Sequence, residues 1–327
     1  MITIRRVDAD DPDAHALWAE QQDDLARRYD SPDLVLETRF DTLLASLVGY
    51  ADDGEPVASI VLRWSPYPTG AGSLEIKRLF VRPAHRGHGH SKVMMGAAEA
   101  IARRAGATRI VLESGTEQPE ALSLYDRLGY DRIEGYGEYK DEPDSVCYGL
   151  DLPPRLLVLT GSLGAGKSSV GAAVHELLAT RGARTAFLDA DALTQAYPSP
   201  PHDPANAGLL RRSVAALAAL HRERGLGNLV IACALDEPDA LATLTAAIGR
   251  VADPVDAAVV RVTAPLETRL ARLEARPASD RWLAWARTRT AELDDLLDSL
   301  ELEDARVDTA GRAPADVAAE ALDAVGW

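Results

Sequence analysis

Apolar and polar positions follow two rhythms along the chain. Over residues 1–152, short runs of period two are interleaved with stretches of helical period. A strand over "ITIRRV" leads into an amphipathic helix from about Asp11 to Tyr29. "LASLVGYADDGEPVASIVLRW" holds two apolar runs around Asp-Asp-Gly-Glu, a hairpin signal, and "SLEIKRLFVRP" is a further strand stopped by Pro83. "SKVMMGAAEAIARRAGA" shows an apolar face at helical spacing ended by Gly106. A strand "TRIVLES", a helix "QPEALSLYDRLG" and a strand pair running through "SVCYGLDL" follow.

After Pro153-Pro154 the rhythm becomes strand, loop, helix, repeated. "RLLVLTG" precedes "KSSVGAAVHELLATRG"; then come "TAFLDAD", a long helix from about Asn206 to Arg224, "NLVIACAL", a helix within 237–249, "AAVVRVTA", and helices from 265 onward. That alternation predicts a mostly parallel sheet with helices on both faces. The expected domains are therefore 1–152 and 153–327, both α/β. So short a junction leaves little slack, and a fixed mutual orientation is expected.

Composition narrows the function more than the fold. With 327 residues and 46% hydrophobic content, the chain can bury a core in each domain. A net charge of −16 disfavours broad attraction to nucleic-acid phosphates or anionic membranes, although a small basic pocket can still take a phosphorylated ligand. The two cysteines, Cys147 and Cys233, have no metal-ligand spacing and form no disulfide framework. The N-terminal stretch has no apolar signal core, and no run reaches the ~18 apolar residues of a membrane span. A cytoplasmic setting is expected, with small-molecule substrates as partners and a homodimer left open.

"LTGSLGAGKSSV" carries the first candidate chemistry. Gly161, Gly166, Lys167 and Ser168 satisfy G-x-x-x-x-G-K-[ST] directly between an apolar strand and an amphipathic helix. Gly161, Gly164 and Gly166 let the backbone wrap phosphate oxygens, and the helix start, with Ser169 in its first turn, adds a favourable dipole. Lys167 would bridge the β- and γ-phosphates of ATP, and Ser168 would hold Mg²⁺. Asp189 and Asp191 of "AFLDADAL" fall at the carboxyl end of the next strand, where open α/β sheets place ligands.

From this loop onward, 153–327 resembles the P-loop small-molecule and nucleotide kinases, among them the shikimate, gluconate, adenylylsulfate and chloramphenicol kinases, within the wider group of AAA-type ATP-binding domains. The resemblance implies a P-loop NTPase α/β/α sandwich. It gives Asp191 the acceptor hydroxyl and Asp189 the metal support, with helix N-capping as the competing account of one of them. "PLETRLARLEARP" resembles the lid of such kinases and puts Arg269, Arg272 and Arg276 on the transferred phosphoryl group; a solvated basic helix face is the alternative. No stretch identifies the phosphoryl acceptor.

The second candidate loop is "VRPAHRGHGHSK". Arg86, Gly87, His88, Gly89, His90 and Ser91 fit R-x-x-G-x-[GA] except that Ser91 stands at the last position. Glycine-bordered N–H groups at a helix start would cup a pyrophosphate here too. With Val-Arg-Pro before it and "EALSLYDRLGYDRI" after, the stretch 1–152 resembles the GNAT N-acetyltransferases, which implies a mixed-sheet fold and acetyl-CoA as cofactor. Leu79 and Val81, on the strand before the loop, join the coenzyme-binding set by the same resemblance. Tyr125 matches the family tyrosine that protonates the leaving thiolate, and Glu75 the glutamate that acts as general base, usually through water. A salt bridge with Lys77 or Arg78 competes as the account of Glu75. Glu113 is assigned to binding the cationic amine, and Gln118 stands where many relatives carry asparagine.

His85, His88 and His90 are read as exposed or phosphate-contacting groups rather than metal ligands, and Tyr136 and Tyr139 as walls of the acceptor pocket. Taken together, a bifunctional enzyme is expected: acetyl transfer to a small-molecule amine and phosphoryl transfer to a small-molecule hydroxyl. The rivals are an ATP-sensing second domain, an acetyl-CoA-sensing first domain, and acetylation of a protein amine.

Overall fold

The computed structural model describes residues 2–249, 254–276 and 279–327. The chain divides into two compact units, Met1–Leu152 and Pro153–Trp327.

In the first unit, β1 (Thr3–Val7), α1 (Pro12–Arg28), β2 (Leu43–Tyr50), β3 (Pro56–Trp64), β4 (Ser73–Val81), α2 (His90–Arg104), β5 (Arg109–Gly115), α3 (Pro119–Arg127), β6 (Asp131–Ile133) and β7 (Ser145–Asp151) follow in order. Seven strands make one mixed sheet in the order β1-β2-β3-β4-β5-β7-β6. All neighbours are antiparallel except β4 and β5, which run parallel. Ile60, Leu62, Leu74, Met94, Met95 and Ile110 fill the core between one sheet face and α2; Trp18 and Leu17 of α1 cover the other face with Val48, Val61 and Phe80.

The β4–β5 pairing is short. Ser73–Ile76 pair with Arg109–Leu112, and the ladder stops there although both strands continue. A bulge in β4 accompanies the split: Ser59 faces Phe80 while Val61 faces Lys77, so Arg78 and Leu79 share one partner residue. Arg78 takes φ 58°, in the left-handed region, and Ser59 Oγ donates to its carbonyl at 3.0 Å. An extra residue bends and twists a strand, and here it swings the end of β4 away from β5.

In the second unit, β8 (Arg155–Thr160), α4 (Lys167–Thr180), β9 (Thr185–Asp189), a single-turn α5 (Ala190–Leu193), α6 (Ala207–Glu223), β10 (Asn228–Ala232), α7 (Ala240–Gly249), β11 (Asp256–Thr263), α8 (Leu266–Glu274), α9 (Asp280–Leu300), β12 (Ala305–Asp308) and α10 (Pro314–Ala324) follow. All five strands are parallel, in the order β12-β11-β8-β10-β9. Both faces of the sheet carry apolar clusters, which is why β8 reads as a continuous apolar run rather than an alternating one. The chain winds from β8 to one side and later returns to the other, so the carboxyl end of β8 is a topological switch point where a crevice opens.

Leu159 of β8 is fully buried just before that crevice. Leu159→Ala is expected to cost about 2–5 kcal/mol, seen as a lower urea midpoint at unchanged slope.

Candidate functional site

The split between β4 and β5 opens a cleft in the first unit. Its larger part, about 480 Å³, is bordered by Leu79, Phe80 and Val81 of β4, Arg86, Gly87 and Gly89–Lys92 leading into α2, and Gln118, Ala121, Leu124 and Tyr125 around α3. A smaller part, about 120 Å³, lies between the diverging strands and is bordered by Ile76–Leu79 on one side and Glu113 and Ser114 on the other. Gln21, Leu25, Leu79, Gln118 and Tyr125 border both parts, so the two meet at the Tyr125 side chain.

The floor of the larger part is a bare helix start. Gly89, at φ 80°, begins α2, and among the described residues no side chain caps it. The first N–H groups therefore face the cleft unsatisfied, with the positive end of the helix dipole behind them. Nothing lies within 4 Å of where a Cβ would stand on Gly87 or Gly89, so the approach is open. Arg28, Arg86, Lys92 and Arg127 on the walls outnumber the carboxylates Asp24 and Glu120, which makes this a basic spot on a strongly acidic chain.

Arg86 is already engaged. Its Nε donates to Val81 O at 2.9 Å and its Nη2 to Asp24 Oδ2 at 2.8 Å, locking the loop to β4 and α1. Burial pushes the Asp24 carboxyl up, but Arg86, helped by Arg28 and Arg27, holds it below its ordinary value. His85 sits 3.3 Å from Glu55, and the His88 and His90 rings stack at 5.8 Å. Among the described residues no group of three or more His, Cys, Asp or Glu is placed to hold a metal ion.

Tyr125 is 5% exposed, and burial, with Glu113 and Tyr148 nearby, raises its phenol pKa. It therefore keeps its proton. Glu113 lines the smaller part; burial raises its carboxyl pKa, partly countered by the Ser145 hydroxyl donating at 2.5 Å and by Lys77.

Glu75 is placed differently. It is fully buried and borders neither part of the cleft. Arg63 grips its Oε2 at 2.7 Å, the Tyr136 hydroxyl donates to its Oε1 at 3.1 Å, and Lys77 stands 4.0 Å away. Its nearer ion-pair partner is thus Arg63 on β3, directly across the strand, with Lys77 the expected second partner at 4.0 Å, while Arg78 turns elsewhere. Tyr136 and Tyr139 pack with Tyr67 around this carboxylate instead of bordering the cleft. Arg63 also pairs with Glu37 at 2.7 Å and so pins the 31–42 segment to the sheet.

Residues 8–130 match the model of the acetyltransferase (GNAT) family. The first unit carries a GNAT acetyltransferase domain. N-acetyltransferase family 8 member 2 of Rattus norvegicus is 35% identical over 88 residues, 26% of this chain and 39% of the relative. The IAA acetyltransferase of Azospirillum brasilense is 33% identical over 78 residues, 24% of this chain and 51% of the relative. The chain thus spans at most about half the length of these two curated relatives. An acetyltransferase of the GNAT family from Staphylococcus aureus MU50 superposes on 46% of this chain and 99% of its own, with 16% identity and a TM-score of 0.37.

Apart from the acetyltransferase domain, the second unit builds its own candidate site where β8 meets α4. Gly161, Gly164 and Gly166 take φ 148°, 78° and 107°. At Gly164 a Cβ would lie 2.6 Å from the Arg269 carbonyl, so only glycine allows so close an approach. Gly166 starts α4, again with no side-chain cap among the described residues. Lys167 folds back, its Nζ donating to Gly161 O at 3.0 Å and Ser162 O at 3.3 Å. Burial lowers its pKa against the pull of Asp191 and Asp189. Ser168 and Ser169 are exposed on the first turn.

Asp189 caps α5, its Oδ1 accepting from Asp191 N at 3.0 Å, while Asp191 is exposed. Arg269 and Arg272 brace the loop from behind. Arg269, 4% exposed, donates to Ser162 Oγ, to Thr290 O at 3.3 Å and to Asp294 at 2.9 Å. Arg272 donates to Gly164 O at 3.1 Å, Ala165 O at 3.2 Å and Thr309 O at 2.8 Å. Arg276 is exposed beyond α8, close enough to act on Lys167; Pro277, the end of the stretch read as a lid, lies outside the described residues. Sequence reasoning missed Thr309 and Thr290, which hold the Ala165 and Leu163 carbonyls at 2.8 and 2.7 Å. A lone threonine leaves no spacing signal.

Arg63→Met leaves the buried Glu75 with Lys77, 4.0 Å away, as its remaining cation among the described residues, and is expected to destabilise the first unit by about 3–5 kcal/mol in thermal unfolding, with most of the loss recovered by adding Glu75→Leu.

Proposed function

We propose that the first unit transfers an acetyl group from acetyl-CoA to a small-molecule amine. The observation that carries this reading is the continuous cleft with a bare helix start at one end, a protonated phenol at its middle and a raised-pKa carboxylate at its other end. The donor's pyrophosphate fits the N–H groups of Gly87–Ser91, and the edge of β4 beyond its pairing with β5, where the Leu79 and Val81 carbonyls already accept from Gln21 and Arg86, runs alongside the place for its amide-bearing arm. Both ends of the reaction then meet at Tyr125.

In this scheme Glu113 takes a proton from the amine, whose lone pair attacks the thioester carbonyl and forms the C–N bond. The C–S bond breaks as Tyr125 gives its proton to the departing sulfur; of the two protons the ammonium loses, the first passes from Glu113 to solvent and the second restores the Tyr125 phenol. Glu113 suits the base role better than Glu75, because it borders the cleft while Glu75 is consumed by Arg63. The Cys147 thiol is buried and its pKa raised, so direct attack is favoured over an acyl-cysteine route.

For the second unit we propose ATP binding with phosphoryl transfer to a small-molecule hydroxyl. The reading rests on the glycine-rich loop and uncapped α4 at the switch point of a parallel sheet, with Lys167 and two aspartates beside it. Backbone N–H groups and Lys167 would hold the phosphates; Ser168 and Asp189 would hold Mg²⁺, which would offset the phosphate charge. Asp191, exposed and facing Lys167, is the group for the acceptor hydroxyl. Arg269 and Arg272 act in this scheme by fixing the loop, leaving Arg276 to meet the phosphoryl group.

A base must be ionised, and burial raises the Glu113 pKa, so activity is lost as pH falls through a value above the usual carboxylate range near ~4.3. Glu113→Gln is expected to abolish that acid limb of kcat/KM and to lower kcat about 10²- to 10⁴-fold, while the limb set by the acceptor's own amine persists. Calorimetric titration tests the two sites together. Lys167→Ala should remove binding of a non-hydrolysable ATP analogue and leave acetyl-CoA binding intact; loss of both, or of neither, counts against the reading.

A further inference from the structure

Four charged side chains border the smaller part of the cleft, Glu37, Lys77, Arg78 and Glu113; Glu37 pairs with Arg63 and Lys77 with Glu75, whereas Arg78 and Glu113 make no ion pair of their own among the described residues. Arg78 is 7% exposed, yet its hydrogen bonds go to neutral acceptors: Nε to Glu37 O at 2.9 Å, Nη2 to the same carbonyl, and Nη1 to Gln21 Oε1 at 3.4 Å. The Glu37 carboxylate pairs with Arg63 at 2.7 Å and offsets the burial of Arg78 only in part, without bonding to it. Trp18 lies under the guanidinium, 5.8 Å away, and burial pushes its pKa down to about 10. Across the cavity, Glu113 is matched only by the Ser145 hydroxyl at 2.5 Å, with Lys77 as a more distant cation. The Lys77 ammonium is itself bonded to the Tyr139 hydroxyl and stands 4.0 Å from Glu75.

Buried charge without a counter-ion is costly. A simple amine would satisfy Glu113 but add a cation beside Arg78; a simple acid would do the reverse. Only a ligand carrying both signs relieves both, and about 120 Å³ suits groups borne on one carbon. From this we infer that the acceptor is a zwitterion of the α-amino-acid kind, its carboxylate held by Arg78 and its amine presented to Glu113. The assignment rests on the acetyl-transfer reading and narrows its acceptor.

The experiment uses the full chain, acetyl-CoA and thiol release, with matched sets of acceptors: L-α-amino acids, their amides and their decarboxylated amines. A charge-assisted pair predicts a kcat/KM for the acids about 10- to 100-fold above both partners. Arg78→Met is expected to erase that preference by lowering the acids alone. Arg78 sits in a left-handed bulge and its replacement can unfold the site, so the comparison on the unaltered chain decides by itself. Equal or faster turnover of amides and amines overturns the zwitterion while leaving acetyl transfer standing. No turnover of any acceptor, with acetyl-CoA still bound in calorimetry, overturns both.

Discussion

Arg78 and Leu79 together face a single residue of β3, and that unmatched position turns the far end of β4 from its parallel neighbour. Without the bulge, the ladder would continue past Ile76 and close the sheet where the cleft now opens. The same slip puts Lys77 and Arg78 on one face in succession, so a long cation is buried against Trp18 and Gln21 where a regular strand would have turned it toward α2. Cleft, exposed strand edge and buried guanidinium are three results of one inserted residue.

Around it, ionic and hydrogen-bonded ties hold the walls. Arg63 joins Glu75 to Glu37, Arg78 holds the Glu37 carbonyl, and Arg86 joins Asp24 to Val81. The Arg63–Glu75 pair is buried and costly to break singly, the others are part-buried, and together they keep loop 31–42 and the α2 loop in register with the sheet. The second unit solves a similar problem with different residues. Arg272, Thr309 and Thr290 clasp carbonyls of the 161–166 loop, and Arg269 holds the Ser162 hydroxyl.

Both units bring a strand into a glycine-bordered turn and then into a helix with no side-chain cap. The physical advantage is common to both: donors left unpaired at a helix start favour an anion, and glycine keeps Cβ atoms from blocking it. The surroundings differ. Arg28, Arg86, Lys92 and Arg127 border the first, whereas the second adds Lys167 with two aspartates in reach.

Much of this was legible in the residues. The period-two and helical rhythms located nearly all strands and helices, because each element must bury a face and so repeats its apolar positions. The two loops stood out because glycine at fixed offsets before a helix start has few other uses. Even the bulge left a trace: Leu74 and Ile76 keep period two, then the apolar phase slips to Leu79 and Val81. A single strand of that length accounts for the run without the slip, so the slip alone predicts no bulge. What no local pattern could decide was which charges meet. Glu75 and Glu113 read alike in sequence; pairing of β3 with β4, twelve residues apart at this point, delivered Arg63 to Glu75, while the β4–β5 pairing across more than thirty residues left Glu113 facing the cleft. Local periodicity determined the elements and their loops; long-range register and burial decided which carboxylate is tied up and which is free to react.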